Sequence, residues 1–172
     1  MSRFIATVFY VGLLRPAPGT WGSAAAIPMA WVIHSLWGFP AFAVATVAVF
    51  FIGWWATAEA TKGKENHDPS EIVIDEVVGM WIALWPLSAG LWHAGVDPWV
   101  FPYPGWVVGF LMFRLFDIWK PGPVGWADRR SDAFGVMFDD VIAGVMAAIV
   151  VFLAAAWAHW GGVIWEYLSW IN

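Results

Sequence analysis

The sequence predicts an all-α fold, a polytopic membrane helical bundle of about five apolar helices with a short interfacial helix at its N-terminus. Hydrophobic residues make up 61% of the 172 residues and charged residues only 12%, and the mean hydropathy is +0.68. This composition lies far from that of a soluble domain. The 16 Trp and 13 Phe residues are typical of aromatic belts at membrane–water interfaces. We expect residues 1–172 to form a single integral membrane domain.

Five apolar segments predict the helices of this bundle, and they cover residues 21–37, 40–60, 72–87, 106–119 and 136–159. The second is the cleanest span, because Glu59 is its first charge. A spanning helix needs about 20 residues. The first, third and fourth segments are shorter and would tilt, extend into their flanks or insert only in part. Arg3 precedes an apolar stretch at 4–14, which we expect to be retained as the interfacial helix.

The distribution of basic residues predicts the orientation. If the N-terminus is cytoplasmic, five crossings leave segments 1–20, 61–71 and 120–135 inside, and every Lys and Arg except Arg114 lies there. The outer segments 38–39, 88–105 and 160–172 contain neither Lys nor Arg, which is the pattern of a positive-inside membrane protein. Without a basic block, and with a net charge of −5, nucleic acid is not an expected partner. The chain has no cysteine, which excludes thiol catalysis and Cys-ligated zinc.

Two pairs of adjacent acidic residues, Asp75–Glu76 and Asp139–Asp140, lie near the starts of apolar segments. Acids in such positions are costly to desolvate, so nearby cations or a metal ion must compensate them. Paired acids at the ends of two helices can converge on one ion, and oxygen ligands without cysteine favour Mg²⁺. An ion held in this way can bridge phosphate oxygens. The two pairs therefore indicate a hard metal ion that handles a phosphate.

Three charged residues in and after the fourth segment, Arg114, Asp117 and Lys120, recur at intervals of three and share one side of a helix. They either form an internal ion pair that extends to the interface or bind a phosphate.

Two further polar segments allow both a structural and a functional interpretation. The stretch 19–23, which contains Thr20 and Ser23, either holds a phosphate at a helix N-terminus or is an ordinary turn in which one hydroxyl caps the helix. Asp68, Pro69 and Glu71 resemble a capping box that would open the third helix. Asp68 could cap that helix and still face the site.

Four segments of the chain, 18–23, 72–81, 113–121 and 139–144, resemble in this order the motifs of the phosphatidylglycerophosphatase A family. The likeness extends from about residue 12 to residue 150. It implies an all-α, Mg²⁺-dependent lipid phosphatase of the bacterial cytoplasmic (inner) membrane, with its active site at the cytoplasmic rim. The substrate would be the membrane phospholipid phosphatidylglycerol phosphate, converted to phosphatidylglycerol and inorganic phosphate in phospholipid biosynthesis.

The resemblance also implies a role for each matching residue of this chain. The implied metal ligands are Glu76, Asp139 and Asp140; the implied catalytic acids are Asp68, Asp75 and Asp117; the implied substrate-binding residues are Thr20, Ser23, Arg114 and Lys120. The chain departs from the family after Asp128–Arg129, where it has Arg130, Ser131 and Asp132 instead of a stretch resembling His-Gly-Gly.

Two other classes of function stay open at this stage. One is a cation-binding membrane transporter or scaffold, although a transporter would place its acids near the bilayer midplane and not at one rim. The other is a different metal-dependent phospholipid enzyme, such as a phosphatidyltransferase, whose D-G-x2-A-R signature the sequence lacks. The sequence does not predict an oligomeric state.

Overall fold

The computed structural model describes residues 1–64, 69–130 and 132–171, with side chains up to residue 159. These residues form α-helices and a short 3-10 turn and contain no strand, which confirms the predicted all-α class. The helices are α1 (Ser2–Ala6), α2 (Pro18–Thr61), α3 (Ile74–His93), α4 (Tyr103–Trp119), α5 (Pro123–Asp128) and α6 (Ala133–Ile171), and the 3-10 turn is Val11–Leu13.

Three of the described helices are long and apolar enough to cross a membrane, namely α2, α3 and the Ala133–His159 part of α6. Helix α4 has only 17 residues, fewer than the about 20 that a perpendicular span needs. The membrane character of the bundle therefore agrees with the sequence, while the number of five crossings stays a prediction.

Helix α2 is interrupted at Gly38, whose φ of +73° and ψ of −176° are not helical. The left-handed region of φ favours glycine because a side chain there is strained. Pro40 follows two residues later and cannot donate a helical hydrogen bond. The interruption divides α2 into a first half, residues 18–37, and a second half, residues 39–61.

The two halves of α2 run in opposite directions along α3. Along the first half, the residue numbers of α2 and α3 increase in the same direction, so this half is parallel to α3. Along the second half they increase in opposite directions, so that half is antiparallel to α3. The contact pairs are Ser23–Glu76 and His34–Ser88 in the first half, and Thr46–Trp85 and Gly53–Ile74 in the second. The chain therefore reverses at Gly38, as the separate predicted segments 21–37 and 40–60 require.

Helix α3 lies at the centre of the bundle, and all its residues from Ile74 to Leu84 are buried. Helix α6 approaches it so closely that a Cβ on Gly144 would lie 2.4 Å from the carbonyl oxygen of Gly79. Small residues allow this kind of backbone contact between membrane helices. Helix α4 packs antiparallel to α3. The starts of α2, α3 and α6 and the end of α4 therefore meet at one end of the bundle.

The N-terminal segment packs against the chain that leads into α3. The backbone N–H of Val73 donates to the carbonyl of Ala6 at 2.9 Å, and Arg3 forms an ion pair with Glu71 at 3.1 Å. These contacts hold residues 69–73 outside the helix, which begins only at Ile74. The predicted helix start at Pro69, with Glu71 completing a capping box, is therefore wrong. Asp68 lies outside the described residues.

Candidate active site

Carboxylates from three helices meet at the end of the bundle where these helix termini come together. Glu76 of α3, Asp117 of α4 and Asp140 of α6 each offer an oxygen atom, and the three atoms lie within 4.8 Å of one another. We call these three residues the acidic cluster. Glu76 is 8% exposed and Asp140 only 3%. Carboxylates this close and this buried require compensating positive charge.

Arg114 supplies part of that charge from the last turns of α4. Its Nη1 donates to Glu76 Oε2 at 2.5 Å and lies 2.9 Å from Asp117 Oδ2. The Nε of Arg114 is buried and has no hydrogen-bond acceptor among the residues that the structure describes. One guanidinium therefore contacts two of the three carboxylates and still has a donor to offer.

The first turns of α2 pack directly on the Glu76 carboxylate. Ser23 Oγ lies 2.7 Å from Glu76 Oε2 and 2.9 Å from the carbonyl oxygen of Gly19, and Arg114 Nη1 lies 3.4 Å from the same hydroxyl. A Cβ on Gly19 would lie 2.0 Å from Glu76 Oε1, so only glycine leaves room for this carboxylate. The sequence placed Gly19 in a stretch that either binds a phosphate or forms an ordinary turn. It did not predict this steric role, which depends on a contact between distant segments.

Neither hydroxyl of this stretch caps α2, because the helix begins at Pro18 after Ala17, which makes no capping side-chain hydrogen bond. The interpretation of 19–23 as a turn capped by Thr20 or Ser23 is therefore wrong. Ser23 is fully buried and contacts Glu76 and Arg114, while Thr20 is half-buried on the first turn.

In both pairs of neighbouring acids, Asp75–Glu76 and Asp139–Asp140, the two side chains make the same two kinds of contact. Asp75 Oδ1 accepts the backbone N–H of Glu76 at 2.9 Å, and Asp139 Oδ1 accepts that of Asp140 at 3.0 Å. Neighbouring helical residues point about 100° apart, so the second acid of each pair enters the acidic cluster while the first binds the local backbone. All four carboxylates are buried.

Lys120 forms a second charged group beside the acidic cluster. It ends α4 in a left-handed conformation, with φ +50°, and its Nζ donates to Asp128 of α5 and, at 3.0 Å, to Asp139 Oδ2. Burial lowers the pKa of Lys120, but the hydrogen bonds and charges of the two aspartates raise it by a larger amount. The pKa of Lys120 therefore lies above its usual value. Lys120 is therefore cationic at neutral pH.

Asp128 was not among the residues assigned a role from the sequence. It lies in a polar segment, where an acid is most often simply solvated, and only its contact with Lys120 distinguishes it. Arg130 and Asp132, which belong to the stretch that differs from the family motif, lie at the surface. Arg130 pairs with Asp132 at 3.0 Å, and its guanidinium lies 5.4 Å from the centroid of the Phe134 ring. Ser131 lies outside the described residues.

The donor set of the acidic cluster fits a hard divalent cation. It consists of carboxylate oxygens alone, contributed by Glu76, Asp117 and Asp140 from three helices, and such oxygens are the ligands that Mg²⁺ prefers in proteins. The single charge of Arg114 leaves these three acids undercompensated. The arrangement can therefore bind a cation and, through Arg114 and Lys120, an anion beside it.

Comparison of the sequence with known proteins finds a matching family and relatives that cover most of the chain. The sequence model of the family described as phosphatidylglycerophosphatase A matches residues 4–155. Phosphatidylglycerophosphatase A of Haemophilus influenzae is 36% identical over 156 residues, which cover 90% of this chain and 89% of the relative. Phosphatidylglycerophosphatase A of Escherichia coli is 36% identical over 159 residues, which cover 92% and 84%.

A third relative carries a different name. A protein of Bacteroides thetaiotaomicron, provisionally named a phosphatidylinositol-3-phosphatase, is 35% identical over 154 residues, which cover 87% of this chain and 91% of the relative. No solved structure matches the chain significantly.

Proposed function

Since the chain belongs to the phosphatidylglycerophosphatase A family, we propose that it removes the terminal phosphate of phosphatidylglycerol phosphate and releases phosphatidylglycerol and inorganic phosphate. The observation that carries this proposal is the acidic cluster, in which Glu76, Asp117 and Asp140 converge within 4.8 Å while Arg114 contacts two of them. A phosphomonoester carries strong negative charge, and a cation and an arginine side by side are the groups that bind it.

The proposed cofactor is Mg²⁺, and Glu76, Asp117 and Asp140 are the residues that would hold it. Asp139, one oxygen of which contacts Lys120, and the neighbouring Asp75 complete the acidic surroundings. When bound, the ion would neutralise charge on the phosphate and favour the attacking oxygen.

The proposed reaction is hydrolysis by water. The water oxygen forms a new bond to phosphorus, and the bond between phosphorus and the glycerol oxygen of the lipid breaks. A carboxylate of the site accepts a proton from the water, and the resulting carboxylic acid returns that proton to the glycerol oxygen, which leaves as a hydroxyl. Asp75 and Asp68 are the candidates for this base from the family resemblance, while Asp117, which the resemblance also implies as a catalytic acid, is assigned here to the metal ion.

Arg114 and Lys120 are the proposed phosphate ligands. The buried Nε of Arg114 has no acceptor among the described residues, so a phosphate oxygen or an ordered water is needed to satisfy it. Lys120 is 32% exposed at its side chain and stays cationic, which places a second positive charge beside the acidic cluster. Ser23 and Thr20 belong to the same end of α2, where Ser23 orients Glu76.

We place this end of the bundle at the cytoplasmic rim of the bacterial inner membrane. The support is the charge distribution, because the basic residues outside the helices of the bundle all lie in the segments that flank the site, as the positive-inside rule requires for cytoplasmic loops. The lipid could then keep its chains in the inner leaflet while its phosphate enters the site.

The test is the release of inorganic phosphate from phosphatidylglycerol phosphate by the detergent-purified protein, with Mg²⁺ and with a chelator. Phosphatidylinositol 3-phosphate is the comparison substrate, chosen from the name of the third relative. We expect Mg²⁺-dependent turnover of phosphatidylglycerol phosphate, its loss in Asp140→Asn, and its retention in Glu59→Gln, which changes an exposed acid. A folded protein that releases no phosphate with any divalent metal would contradict the proposal and favour a transporter or scaffold.

A further inference from the structure

Two rows of side chains lead away from the acidic cluster along neighbouring helices. On the first half of α2, Ser23 is followed at intervals of four residues by Ile27 and Trp31. Residues four apart lie on the same face of a helix, so this row continues from the hydroxyl that contacts Glu76. On that face the chain changes from polar to fully apolar within one turn.

Helix α4 carries the matching row. Counting back from Arg114 in steps of four gives Phe110 and Trp106, again on one face. The first half of α2 runs parallel to α3 and α4 runs antiparallel to it, so both rows leave the site in the same direction. They begin together, because Arg114 Nη1 lies 3.4 Å from Ser23 Oγ.

The two rows end at an apolar cavity of about 310 Å³. Its lining joins both helices to the loop before α4 and consists of Ile27, Pro28, Trp31, Trp99, Phe101 and Trp106. The Trp31 indole donates to the carbonyl of Trp99 at 3.1 Å, which holds that loop across the far end. Ile27 lines this cavity and lies only one turn beyond Ser23 on the same face of α2. We call the strip between the two rows, from Ser23 and Arg114 to this cavity, the groove.

The length of the groove matches one leaflet of a bilayer. Eight residues of helix separate Ser23 from Trp31, a distance of about 12 Å at 1.5 Å per residue. Half of a hydrocarbon core of about 30 Å is about 15 Å. A lipid whose phosphate lies at Arg114 would therefore have room for most of one acyl chain before it reaches the aromatic end.

We propose that the groove between the first half of α2 and α4 holds one acyl chain of the lipid phosphate whose headgroup lies at the acidic cluster. The proposal rests on the proposed function, because it takes the bound phosphate as the fixed end of the chain. The groove begins at the acidic cluster. A molecule that fills both must therefore have a phosphate at one end and an apolar chain at the other, as a lipid phosphate has.

Two other apolar cavities are less suited to the acyl chain. One of about 290 Å³ includes Val78 and Val141 in its lining. Val78 lies about 200° around α3 from Glu76, so α3 itself separates that cavity from the site. Another, of about 350 Å³, includes Leu87, which lies 11 residues beyond Glu76 on α3, or about 16 Å along the helix.

The first test fills the groove and compares long and short lipids. Ile27→Trp adds bulk inside the groove, while Val44→Trp adds the same side chain at a position that is 70% exposed on the second half of α2. The value of kcat/KM is measured with dipalmitoyl and with dibutanoyl phosphatidylglycerol phosphate in the same detergent. We expect Ile27→Trp to lower the dipalmitoyl value about ten-fold and leave the dibutanoyl value nearly unchanged, because only the long chain must enter the groove.

Two results would overturn the proposal. Equal losses for both lipids in an Ile27→Trp protein that keeps the wild-type Tm would mean that the new side chain affects the headgroup site and not a long acyl chain. No loss for either lipid would mean that the acyl chain lies elsewhere. Val44→Trp should change neither value. If the wild-type protein hydrolyses neither lipid, it is the proposed function that fails, which differs from a failure of the groove.

Photocrosslinking locates the bound acyl chain without requiring turnover. A phosphatidylglycerol phosphate with a diazirine at the end of one chain is added to the wild-type protein in the presence of a chelator and irradiated. We expect adducts on peptides that contain Trp31 or Trp106. Adducts confined to the cavity between the second half of α2 and α6 would contradict the proposal.

Discussion

Glu76 and Arg114 lie 38 residues apart in the sequence and on different helices, yet Glu76 Oε2 and Arg114 Nη1 are 2.5 Å apart. Their side chains are only 11% and 14% exposed. Removing one partner of a buried ion pair leaves the other charge uncompensated. The pair therefore links α3 and α4 at the site and makes the position of Glu76 dependent on Arg114.

Arg114→Lys should strongly reduce phosphatase activity although it keeps the positive charge. Lysine cannot contact Glu76 and Asp117 while presenting a further planar donor to a phosphate. We expect a loss of kcat/KM of about 100-fold, measured as phosphate release. Arg130→Lys is the matched control, because Arg130 pairs with Asp132 at the surface, and it should change activity less than two-fold. Comparable losses in both variants would argue against a special role for Arg114.

The metal ligands can be distinguished by binding. Asp117 has an oxygen within the acidic cluster, whereas one oxygen of Asp139 contacts Lys120 and the other a backbone N–H. We therefore expect Asp117→Asn to weaken Mn²⁺ binding about ten-fold or more, and Asp139→Asn to weaken it less. Electron paramagnetic resonance of Mn²⁺ measures both. The reverse order would favour the ligand set implied by the family resemblance, in which Asp139 binds the metal.

Gly19→Ala should reduce activity without unfolding the protein. The added Cβ would lie 2.0 Å from Glu76 Oε1, so the carboxylate must move away from Ser23 and Arg114. Gly90→Ala is the control, because a Cβ there meets nothing within 4 Å and should raise helix stability by up to about 1 kcal/mol. Phosphate release and thermal unfolding of both variants separate the two effects. Full activity in Gly19→Ala would show that the position of Glu76 is not critical.

Gly79→Ala should destabilise the bundle. A Cβ at this position would lie 2.4 Å from the Phe113 ring and 2.7 Å from the carbonyl oxygen of Asp140, and the carbonyl belongs to a backbone that cannot turn aside. Overpacking of this kind costs about 1–3 kcal/mol. The expected result is a lower Tm in detergent than that of the wild type. An unchanged Tm would mean that α3 and α6 can separate at no cost.

The sequence predicted the family, the all-α class and the charged end of the bundle correctly. The four segments that resemble phosphatidylglycerophosphatase A were matched by the family model over residues 4–155. Isolated charges in an apolar chain can be recognised without a structure. They indicate a functional site, because their desolvation is costly and such charges are rare elsewhere in membrane segments. The break at Gly38 was also foreseeable, since a glycine and a nearby proline divide an apolar run of 44 helical residues.

The start of α3 could not be predicted from local signals. Asp68, Pro69 and Glu71 form a favourable helix start by sequence, but the helix begins at Ile74. The reason is tertiary, because Val73 donates to Ala6 and Glu71 pairs with Arg3, both far away in the chain. A local preference worth about 1 kcal/mol is easily outweighed by such contacts.

By itself, the sequence determined which chemical groups are present and at which helix ends they lie, because burial cost and helical spacing act along the chain. Only the tertiary structure decided which of them meet. Adjacent acids such as Asp139 and Asp140 are equivalent in the sequence, yet they point about 100° apart on a helix. The packing of α3, α4 and α6 brings Asp140 to Glu76 and Asp117 and turns Asp139 to Lys120.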